Sequence, residues 1–427
     1  MIVFLGLLVA LMIVFLPVAF MSLILIALLG ILMGVFICVK KKSKEDLFLS
    51  NLFFLSFLLK VIVSLLFYNF IFVYKGTGLV GDGWSYSESG YSILQMWLGG
   101  IRNINEIAAN MMKISTSGNL GSYDFWNAIV YYFTGKNPLS LIFINCLASS
   151  LTVIFIYHIT KQLYNEKAAK ISAILTAFWP SLFTWSIQNL KEPLSIFLIT
   201  ALIWAILWLK IKFRFYLLFV IILASITLKE LRLISFFMFY AVILPLSLIL
   251  FLWKKNKVLF IFLILLAGIG LTMAMSNYLK HRSLLEYIDY MRTVRAYGNT
   301  AFLSNMDITN PTKLMFFAPV ALLVSWLAPF PWQIGSMSQI TAIPEMLLYY
   351  TLLPAMFLGW GFIMKHKIRE GGIIVLYIFI MMLVLAFIEG NIGTLFRHRA
   401  MVLPFMFILI GIGIDDAKNN KYEKQAF

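Results

Sequence analysis

The chain has 427 residues, of which 62% are hydrophobic and 12% are charged, and its mean hydropathy is +0.93. Soluble globular proteins carry about 25% charged residues, so this composition excludes a soluble globular domain. The formal net charge of +16 would suggest nucleic acid as the partner of a soluble protein. In a membrane protein, the positions of the charges matter more than their sum.

Apolar runs long enough to cross a membrane follow one another along the chain. A helix needs about 20 apolar residues to cross the hydrocarbon core. Residues 1–38 are long enough for two short spans, and a further apolar stretch, 314–330, is a span, a re-entrant segment or an interfacial helix. The other predicted spans are 47–73, 138–160, 171–187, 190–209, 215–228, 233–253, 258–275, 343–364, 371–388 and 400–414. The sequence therefore predicts an all-α polytopic membrane protein with about 12–13 transmembrane helices.

Clusters of lysine and arginine predict the orientation, because short loops rich in these residues remain cytoplasmic. The clusters are Lys40, Lys41, Lys42 and Lys44; Lys161, Lys167 and Lys170; Lys210, Lys212 and Arg214; Lys254, Lys255 and Lys257; Lys365, Lys367 and Arg369; and Lys418, Lys421 and Lys424. With 12 spans, all of them fall on the side of the N-terminus, and the long loop 74–137 is outside. The mixed-charge segment 276–313 then also lies outside, where an amphipathic interfacial helix would explain its charges. If 314–330 spans the membrane, that segment moves inside.

The long outer loop contains the first group of candidate residues, Gly81-Asp82-Gly83-Trp84-Ser85-Tyr86. A carboxylate just outside a helix end, between glycines that let a substrate approach, suits a general base or a metal ligand. The alternative is a turn in which Asp82 caps the following helix, 84–98. Tyr86 and Glu88 lie on that helix and are candidate substrate contacts.

The second group is Gln188-Asn189-Leu190-Lys191-Glu192-Pro193, which joins two predicted spans on the same outer side. Lys191 is suited to contact a phosphate, and Glu192 to orient that lysine or to accept a hydrogen bond from a sugar hydroxyl. The alternative is a solvated turn in which Asn189 caps the returning helix and Pro193 occupies its first turn. The residues alone leave both interpretations open.

Further basic residues lie outside, against the positive-inside tendency. Arg232 ends the run Lys229-Glu230-Leu231-Arg232, and Phe396-Arg397-His398-Arg399 follows Glu389-Gly390-Asn391 between the last two spans. Two arginines beside the hydrocarbon boundary can hold a lipid phosphate bidentately, and a histidine between them adds a phosphate contact. The alternative is snorkelling to phospholipid headgroups. Snorkelling, or a later start of the span, is also expected for Lys60 inside span 47–73. No nucleotide-binding or zinc-binding motif is present in the sequence, so no metal ligand is assigned.

These groups together resemble the GT-C superfamily of membrane glycosyltransferases. The resemblance covers about residues 47–414. It rests on Gly-Asp-Gly-x-x-Tyr at 81–86, Tyr131-Tyr132-x-x-Gly135-x-Asn137-Pro138, the hairpin from Pro180-Ser181 to Leu190-Lys191-Glu192-Pro193, and Phe396-Arg397-His398-Arg399 with Leu403-Pro404-Phe405. It is closer to bacterial members of the branch of protein O-mannosyltransferases and aminoarabinose transferases. Gly83 stands where that branch usually has a second acidic residue, so the resemblance leaves the requirement for a divalent cation open.

The resemblance implies a glycosyltransferase that moves a sugar from a polyprenyl-phosphate donor to a lipid, glycan or protein acceptor. The essential acid of the family falls on Asp82, and its lipid-phosphate contacts fall on Arg397 and Arg399. The expected regions are an extra N-terminal hairpin with a basic cytoplasmic loop (1–46), a catalytic core (47–275) and an amphipathic segment with C-terminal spans (276–427). A multi-pass protein of a bacterial plasma membrane, active on its outer face, is expected. The alternatives are a polysaccharide polymerase that uses a lipid-linked oligosaccharide, or a transporter or flippase.

Overall fold

The computed structural model describes residues 43–72, 81–114, 121–252, 284–296, 298, 300–302, 308–330, 332–333 and 337–425. The predicted N-terminal hairpin, 1–38, and the predicted span 258–275 lie outside these residues. Within them, the regular structure is helical, and the strand-like pairing is an isolated antiparallel bridge between Ala301 and Asn391. The predicted all-α fold class is confirmed.

The described helices fall into two compact units. The first unit contains the described residues up to Ile154 together with Leu182–Ile199, and the second contains Phe155–Ser181 and the described residues from Thr200 onward. The helices are α1 (Lys44–Phe67), α2 (Gly81–Leu98), α3 (Ile104–Ile114), α4 (Ser122–Thr134), α5 (Pro138–Leu163), α6 (Glu166–Phe178), α7 (Pro180–Ser186), α8 (Glu192–Ile211), α9 (Phe215–Leu231), α10 (Leu233–Phe237), α11 (Leu244–Leu252), α12 (Leu284–Arg295), α13 (Pro311–Leu327), α14 (Met337–His366), α15 (Ile368–Ile388), α16 (Ile392–Arg399) and α17 (Leu403–Gln425). Short π-helical turns at Tyr68–Phe72 and Met238–Ile243 extend α1 and join α10 to α11.

Five described helices are long and apolar enough to cross a membrane, namely α1, α5, α8, α14 and α15. The pair α16 and α17, bent by 59°, adds a sixth if the two count as one span. The apolar stretch left open at 314–330 forms α13, whose 17 residues would extend about 25 Å at 1.5 Å per residue. The protein is therefore a multi-pass membrane protein.

The predicted span 171–187 is wrong as a single helix, because it is divided at Trp179. That residue ends α6 in an extended conformation, and Pro180 begins α7. A proline disfavours the helical conformation of the residue before it and cannot donate a backbone hydrogen bond within the helix, so the break follows from the sequence. Pro344 and Pro354, by contrast, lie inside α14 without ending it.

In the first unit, α1 packs against the start of α5 through apolar side chains. Phe57, Val61 and Leu65 meet Leu139, Ile142 and Phe143, and all of these residues are buried. Lys60 lies in the same contact and is fully buried, so the expectation that it snorkels to the membrane surface is wrong. Its Nζ donates to the hydroxyls of Ser56 and Ser149, each at 2.9 Å, and these bonds partly offset the cost of burying an ammonium group.

In the second unit, α14 and α17 approach closely because both carry glycines at the contact. A Cβ atom added at Gly359 would lie 1.9 Å from the carbonyl oxygen of Leu409, and one added at Gly413 would lie 1.8 Å from that of Ala355. Small residues that let helix backbones approach are typical of helix pairs in membranes. This contact supports the start of α17, which directly follows the basic helix α16.

Candidate functional site

Asp82, the predicted general base, lies in the first turn of α2 and is exposed. Because α2 begins at Gly81, Asp82 is a residue of the helix rather than the cap of one that starts at Trp84. A carboxylate in the first turn is favoured by the helix dipole, which is positive at this end. The start of α2 therefore presents an acid toward solvent.

Helix α2 is held against α4 by a close contact and by a hydrogen bond between side chains. A Cβ atom added at Gly90 would lie 2.4 Å from the Cβ of Asn127, so only glycine allows this approach. Ser87 and the hydroxyl of Tyr131 share a buried hydrogen bond of 2.6 Å. Glu88, a predicted substrate contact, accepts a hydrogen bond of 2.9 Å from Lys136, and this ion pair links α2 to the end of α4.

The segment between α7 and α8 is joined to α2 and α4 through the side chain of Asn189. Its Nδ2 donates to the carbonyl oxygen of Gly83 at 3.1 Å and to Oδ1 of Asn127 at 2.7 Å. Its Oδ1 accepts a bond of 2.9 Å from the hydroxyl of Tyr123. These groups are buried. A buried polar atom without a hydrogen-bond partner is destabilising, so each of these bonds also removes that unfavourable contribution. The network fixes the residue after Asp82 against the hairpin.

Asn145 of α5 also binds the backbone of the same hairpin. Its Nδ2 donates to the carbonyl oxygens of Gln188 at 2.9 Å and Leu190 at 2.8 Å, and the latter also accepts from the Tyr123 hydroxyl at 3.0 Å. The hairpin predicted either as a solvated turn or as part of a site is therefore a buried, hydrogen-bonded structure up to Leu190.

Charged residues of the hairpin face the aromatic and acidic residues of α2 and α4. The ammonium group of Lys191 lies 5.9 Å from the centre of the Tyr86 ring, and Tyr86 packs edge-on against Tyr123. Glu192, the first residue of α8, is fully buried. Tyr86 and Glu192 therefore lie near Tyr123, and Lys191 lies near Tyr86 and Asp124. We call Tyr86, Asp124, Lys191 and Glu192 the hairpin cluster, together with Asp82, which precedes the Gly83 that is bonded to Asn189.

Asp124 lies in the predicted outer loop 74–137, and the sequence assigned no role to it. It is buried in the first turn of α4, and its Oδ2 accepts a bond of 2.8 Å from the backbone N–H of Gly121. Burial raises the pKa of this carboxyl to about 6, although the bond from Gly121 and the charge of Lys191 act in the opposite direction. A carboxyl with a pKa near the working pH is suited to hold or move a proton.

In the second unit, the predicted cationic residues have different environments. Arg399 is almost fully buried, and its Nη1 donates to the carbonyl oxygens of Trp326 at 3.0 Å and Ala328 at 2.8 Å. It therefore ties α16 to the end of α13. Arg397 is buried to 8% exposure in the last turn of α16. Arg232 ends α9 and begins α10, away from α16 in sequence.

His398, between the two arginines, is bonded to a buried carboxylate. Its Nδ1 lies 2.8 Å from Oε1 of Glu389, and Nη1 of Arg295 donates to the same oxygen at 3.0 Å. The Thr394 hydroxyl donates to Oε2 at 3.1 Å. Burial raises the pKa of Glu389, but the hydrogen bond and charge of His398, with the charge of Arg295, outweigh it and lower the pKa to about 2. The carboxylate is therefore ionised at neutral pH.

Across the residues that the structure describes, no group of three or more His, Cys, Asp or Glu side chains is arranged to hold a metal ion.

The residues that sequence reasoning missed are Asp124 and Arg295, together with the role of Glu389. The burial of Asp124 could not be read from a loop of mixed composition. Glu389 and His398 are nine positions apart and were both noticed, but Arg295 is 94 positions from Glu389 and no local pattern connects them.

Residues 123–269, about a third of the chain, match the model of the dolichyl-phosphate-mannose-protein mannosyltransferase family. No match was found among curated proteins. The family match confirms the resemblance inferred from the sequence, because members of this family are GT-C membrane glycosyltransferases that use a lipid-phosphate-linked sugar. The matched residues include α4 with Asp124 and the hairpin with Lys191 and Glu192.

Proposed function

We propose that the protein transfers a sugar, with mannose as the first candidate, from a polyprenyl-phosphate donor to a hydroxyl acceptor at the outer face of a bacterial plasma membrane. The observation that carries this proposal is the hairpin cluster, in which Asp82, Asp124, Lys191 and Glu192 occur on elements joined through Asn189. Enzymes that transfer a sugar to a hydroxyl need a base for the acceptor and cations for the leaving phosphate.

In the proposed mechanism, Asp82 is the general base. The acceptor oxygen forms a bond to the anomeric carbon of the sugar while the bond from that carbon to the phosphate oxygen breaks. The acceptor proton passes to the Asp82 carboxylate, and the electron pair of the broken bond remains on the lipid phosphate. A single displacement of this kind inverts the anomeric configuration.

Asp124 is the second carboxyl of the mechanism. Its ionised form attracts Lys191, which lies beside the Tyr86 ring, and this attraction keeps an ammonium group in the cluster. Tyr86 contacts the substrate from the same cluster, whereas Glu192, which is fully buried, acts through its charge rather than by contact. Glu88 acts through its ion pair with Lys136, which holds α2 in place.

For the departing phosphate, the candidates remain those expected from the sequence: Arg397, His398 and Arg232, with Lys191 as a further candidate. Arg399 has a structural role instead, because its guanidinium group already donates to two backbone carbonyls at the end of α13. Preorganised cations that stabilise the charge of the leaving group generally give the largest single contribution to such a reaction.

The direct test of the activity is transfer by the purified protein from a panel of polyprenyl-phosphate sugars. The panel includes mannose, glucose and aminoarabinose donors and is run with a membrane extract as the source of acceptors. Labelled product from at least one donor, with release of polyprenyl phosphate, is expected. A polymerase would instead extend only a lipid-linked oligosaccharide, and a flippase would move the donor across vesicles without breaking its glycosidic bond. Either result contradicts the proposal.

The outer location of the hairpin cluster is tested by labelling a single introduced cysteine. Ser85 is exposed one turn from Asp82, and Ser85→Cys is expected to react with a membrane-impermeant maleimide added to intact cells. Lys170→Cys, at a half-buried lysine of a predicted cytoplasmic cluster, is the control that is expected to react only after the cells are opened. Labelling of the lysine position alone in intact cells would reverse the proposed orientation.

A further inference from the structure

Between α13 and α14, two aromatic rings stack in parallel at the surface of the second unit. The ring centres of Phe330 and Trp332 are 4.9 Å apart, and the two ring planes are inclined by only 5°. Phe330 is half-buried, whereas Trp332 is 78% exposed. Phe330 therefore backs one face of the Trp332 indole, and most of the rest of that side chain is open.

The backbone that carries these rings is fixed by hydrogen bonds of the protein itself. The backbone N–H of Gln333 donates to the carbonyl oxygen of Phe330 at 2.9 Å, and the N–H of Phe330 donates to Oε1 of Gln333 at 3.1 Å. Just before this turn, the carbonyl oxygen of Ala328 accepts a bond of 2.8 Å from Arg399. The indole is thus presented by a preorganised turn, and preorganisation lowers the entropic cost of binding a ligand.

The two rings belong to the end of α14 that is predicted to face outward. Helix α14 is long and apolar enough to cross a membrane. It ends at His366, within the basic cluster Lys365, Lys367 and Arg369 that the sequence predicts to be cytoplasmic. Trp332 precedes the start of the same helix, so the predicted orientation gives it access to the outer aqueous phase.

An open indole of fixed orientation suits the flat face of a sugar ring. A pyranose carries C–H groups on its faces and hydroxyl groups around its rim, so it can lie on an aromatic ring while its hydroxyls remain hydrated. The face of an aromatic ring is its negative region and attracts such C–H groups. A tryptophan that only anchors a protein among lipid headgroups requires neither a stacked partner nor a fixed ring plane.

We propose that Trp332, backed by Phe330, is a subsite for a sugar ring of the acceptor, and that the acceptor is therefore a saccharide. The inference rests on the proposed function, and it selects the glycan among the lipid, glycan and protein acceptors that the sequence left open. The acceptor is assigned rather than the donor because an exposed ring suits a ligand that arrives from water. The donor sugar, by contrast, is attached to a lipid phosphate at the membrane.

The binding test measures how iodide quenches tryptophan fluorescence, because iodide reaches indoles in water but not indoles in lipid. The full-length protein is placed in phosphatidylcholine nanodiscs, and the wild type is compared with Trp332→Phe. The difference between them isolates Trp332 from the other tryptophans of the chain, which has 11 in all.

Without saccharide, the wild type should be quenched more strongly than Trp332→Phe. Mannotriose, maltotriose and N-acetylchitotriose are the probes, and at least one of them should reduce quenching of the wild type toward that of the variant. Protection by none of the three would overturn the proposal. Equal quenching of the two proteins without saccharide would place the indole in the membrane and would also overturn it.

The kinetic test measures kcat and the KM for the saccharide acceptor and for the donor. Trp332→Ala and Trp332→Leu should each raise the KM for the acceptor about tenfold and leave the KM for the donor unchanged. Trp332→Phe should lose less, because it keeps a flat ring. Wild-type kinetics in Trp332→Leu would assign the residue to membrane anchoring, since leucine also inserts into lipid, and would overturn the proposal.

Phe316→Ala is the matched control for the loss of an exposed aromatic ring. Phe316 lies on α13 in the same unit and is also largely exposed, but no ring stacks on it among the described residues. Its replacement should leave both KM values unchanged. An equal rise of the acceptor KM in Phe316→Ala would show that the effect is not specific to Trp332.

The inference and the proposed function fail differently. If the wild type transfers sugar to a peptide or a lipid but to no saccharide, the acceptor proposal is overturned and the transferase function stands. If the wild type transfers from no donor, the proposed function fails, and the iodide measurement alone then decides whether Trp332 binds a saccharide.

Discussion

The raised pKa of Asp124 predicts how transfer depends on pH. Burial raises the pKa of this carboxyl from 3.8 to about 6, and the proposed role of Asp124 requires its ionised form. With a pKa of about 6, roughly 90% of the carboxyl is ionised at pH 7 and roughly 10% at pH 5. The value of kcat/KM for the donor should therefore fall about tenfold between pH 7 and pH 5.

Asp124→Asn supplies the perturbation, because asparagine has nearly the shape of the neutral carboxyl and can keep the bond from Gly121. The variant should transfer at no more than about a tenth of the wild-type rate at pH 7, since it resembles the protonated enzyme at every pH. Its profile between pH 5 and pH 7 should lack the step near pH 6. The assay is initial-rate transfer at subsaturating donor, and Glu106→Gln, an exposed carboxylate of α3, is the control.

The titration of Asp124 also makes the free energy of unfolding depend on pH. Its pKa is higher in the folded protein than in the unfolded chain, so the folded protein binds the proton more tightly. The contribution of Asp124 to the free energy of unfolding is therefore most favourable below about pH 4. This contribution decreases as the pH rises toward and through about 6. Asp124→Asn should be at least as thermostable as the wild type at pH 7 while being less active. A variant with wild-type activity and an unchanged step near pH 6 would refute the reasoning.

Three further predictions concern the fold and the hairpin. Gly359→Ala should lower the apparent melting temperature, because the new Cβ would overlap a backbone carbonyl of α17 and overpacking costs about 1–3 kcal/mol. Gly361→Ala is the control and should leave the melting temperature unchanged, because the space around its Cβ is open. Lys60→Met should keep full transfer activity and lose no thermal stability, because it removes a buried charge that the mechanism does not use; a large loss of activity would place Lys60 in the site. Tyr123→Phe should reduce transfer by about tenfold or less with little change in membrane insertion, because the hydroxyl that holds Asn189 is lost; unchanged kinetics would show that the hairpin needs no such support.

The fold class followed from the sequence because hydropathy is a local property. Spans 47–73, 138–160, 190–209, 343–364 and 371–388 each correspond to a long apolar helix, with ends displaced by a few residues. Span 171–187 was mispredicted because total apolarity outweighed Pro180, whose effect on the backbone was visible in the sequence. The burial of Lys60 could not be predicted, because Ser149, one of the two serines that accept its hydrogen bonds, lies 89 positions away on α5.

The candidate site was predictable to the extent that it depends on residue type at helix ends. Asp82, Lys191 and the Arg397–Arg399 run were all predicted from position and charge, and their roles stay predictions. The sequence did not show how the segments that carry Asp82 and Lys191 are joined, because that contact is made by residues far apart in the chain. Asn189 donates a hydrogen bond to Gly83, which is 106 positions away in the chain, and neither residue belongs to a motif that predicts this contact.

The central claim is that Asp82 is the base of a sugar transfer from a polyprenyl-phosphate donor. The most direct measurement is single-turnover transfer by purified wild type and Asp82→Asn, with donor bound in advance and acceptor added last. The account predicts that the variant melts at the wild-type temperature and binds the donor, but transfers at least about a hundredfold more slowly. Transfer by the variant at the wild-type rate would contradict it.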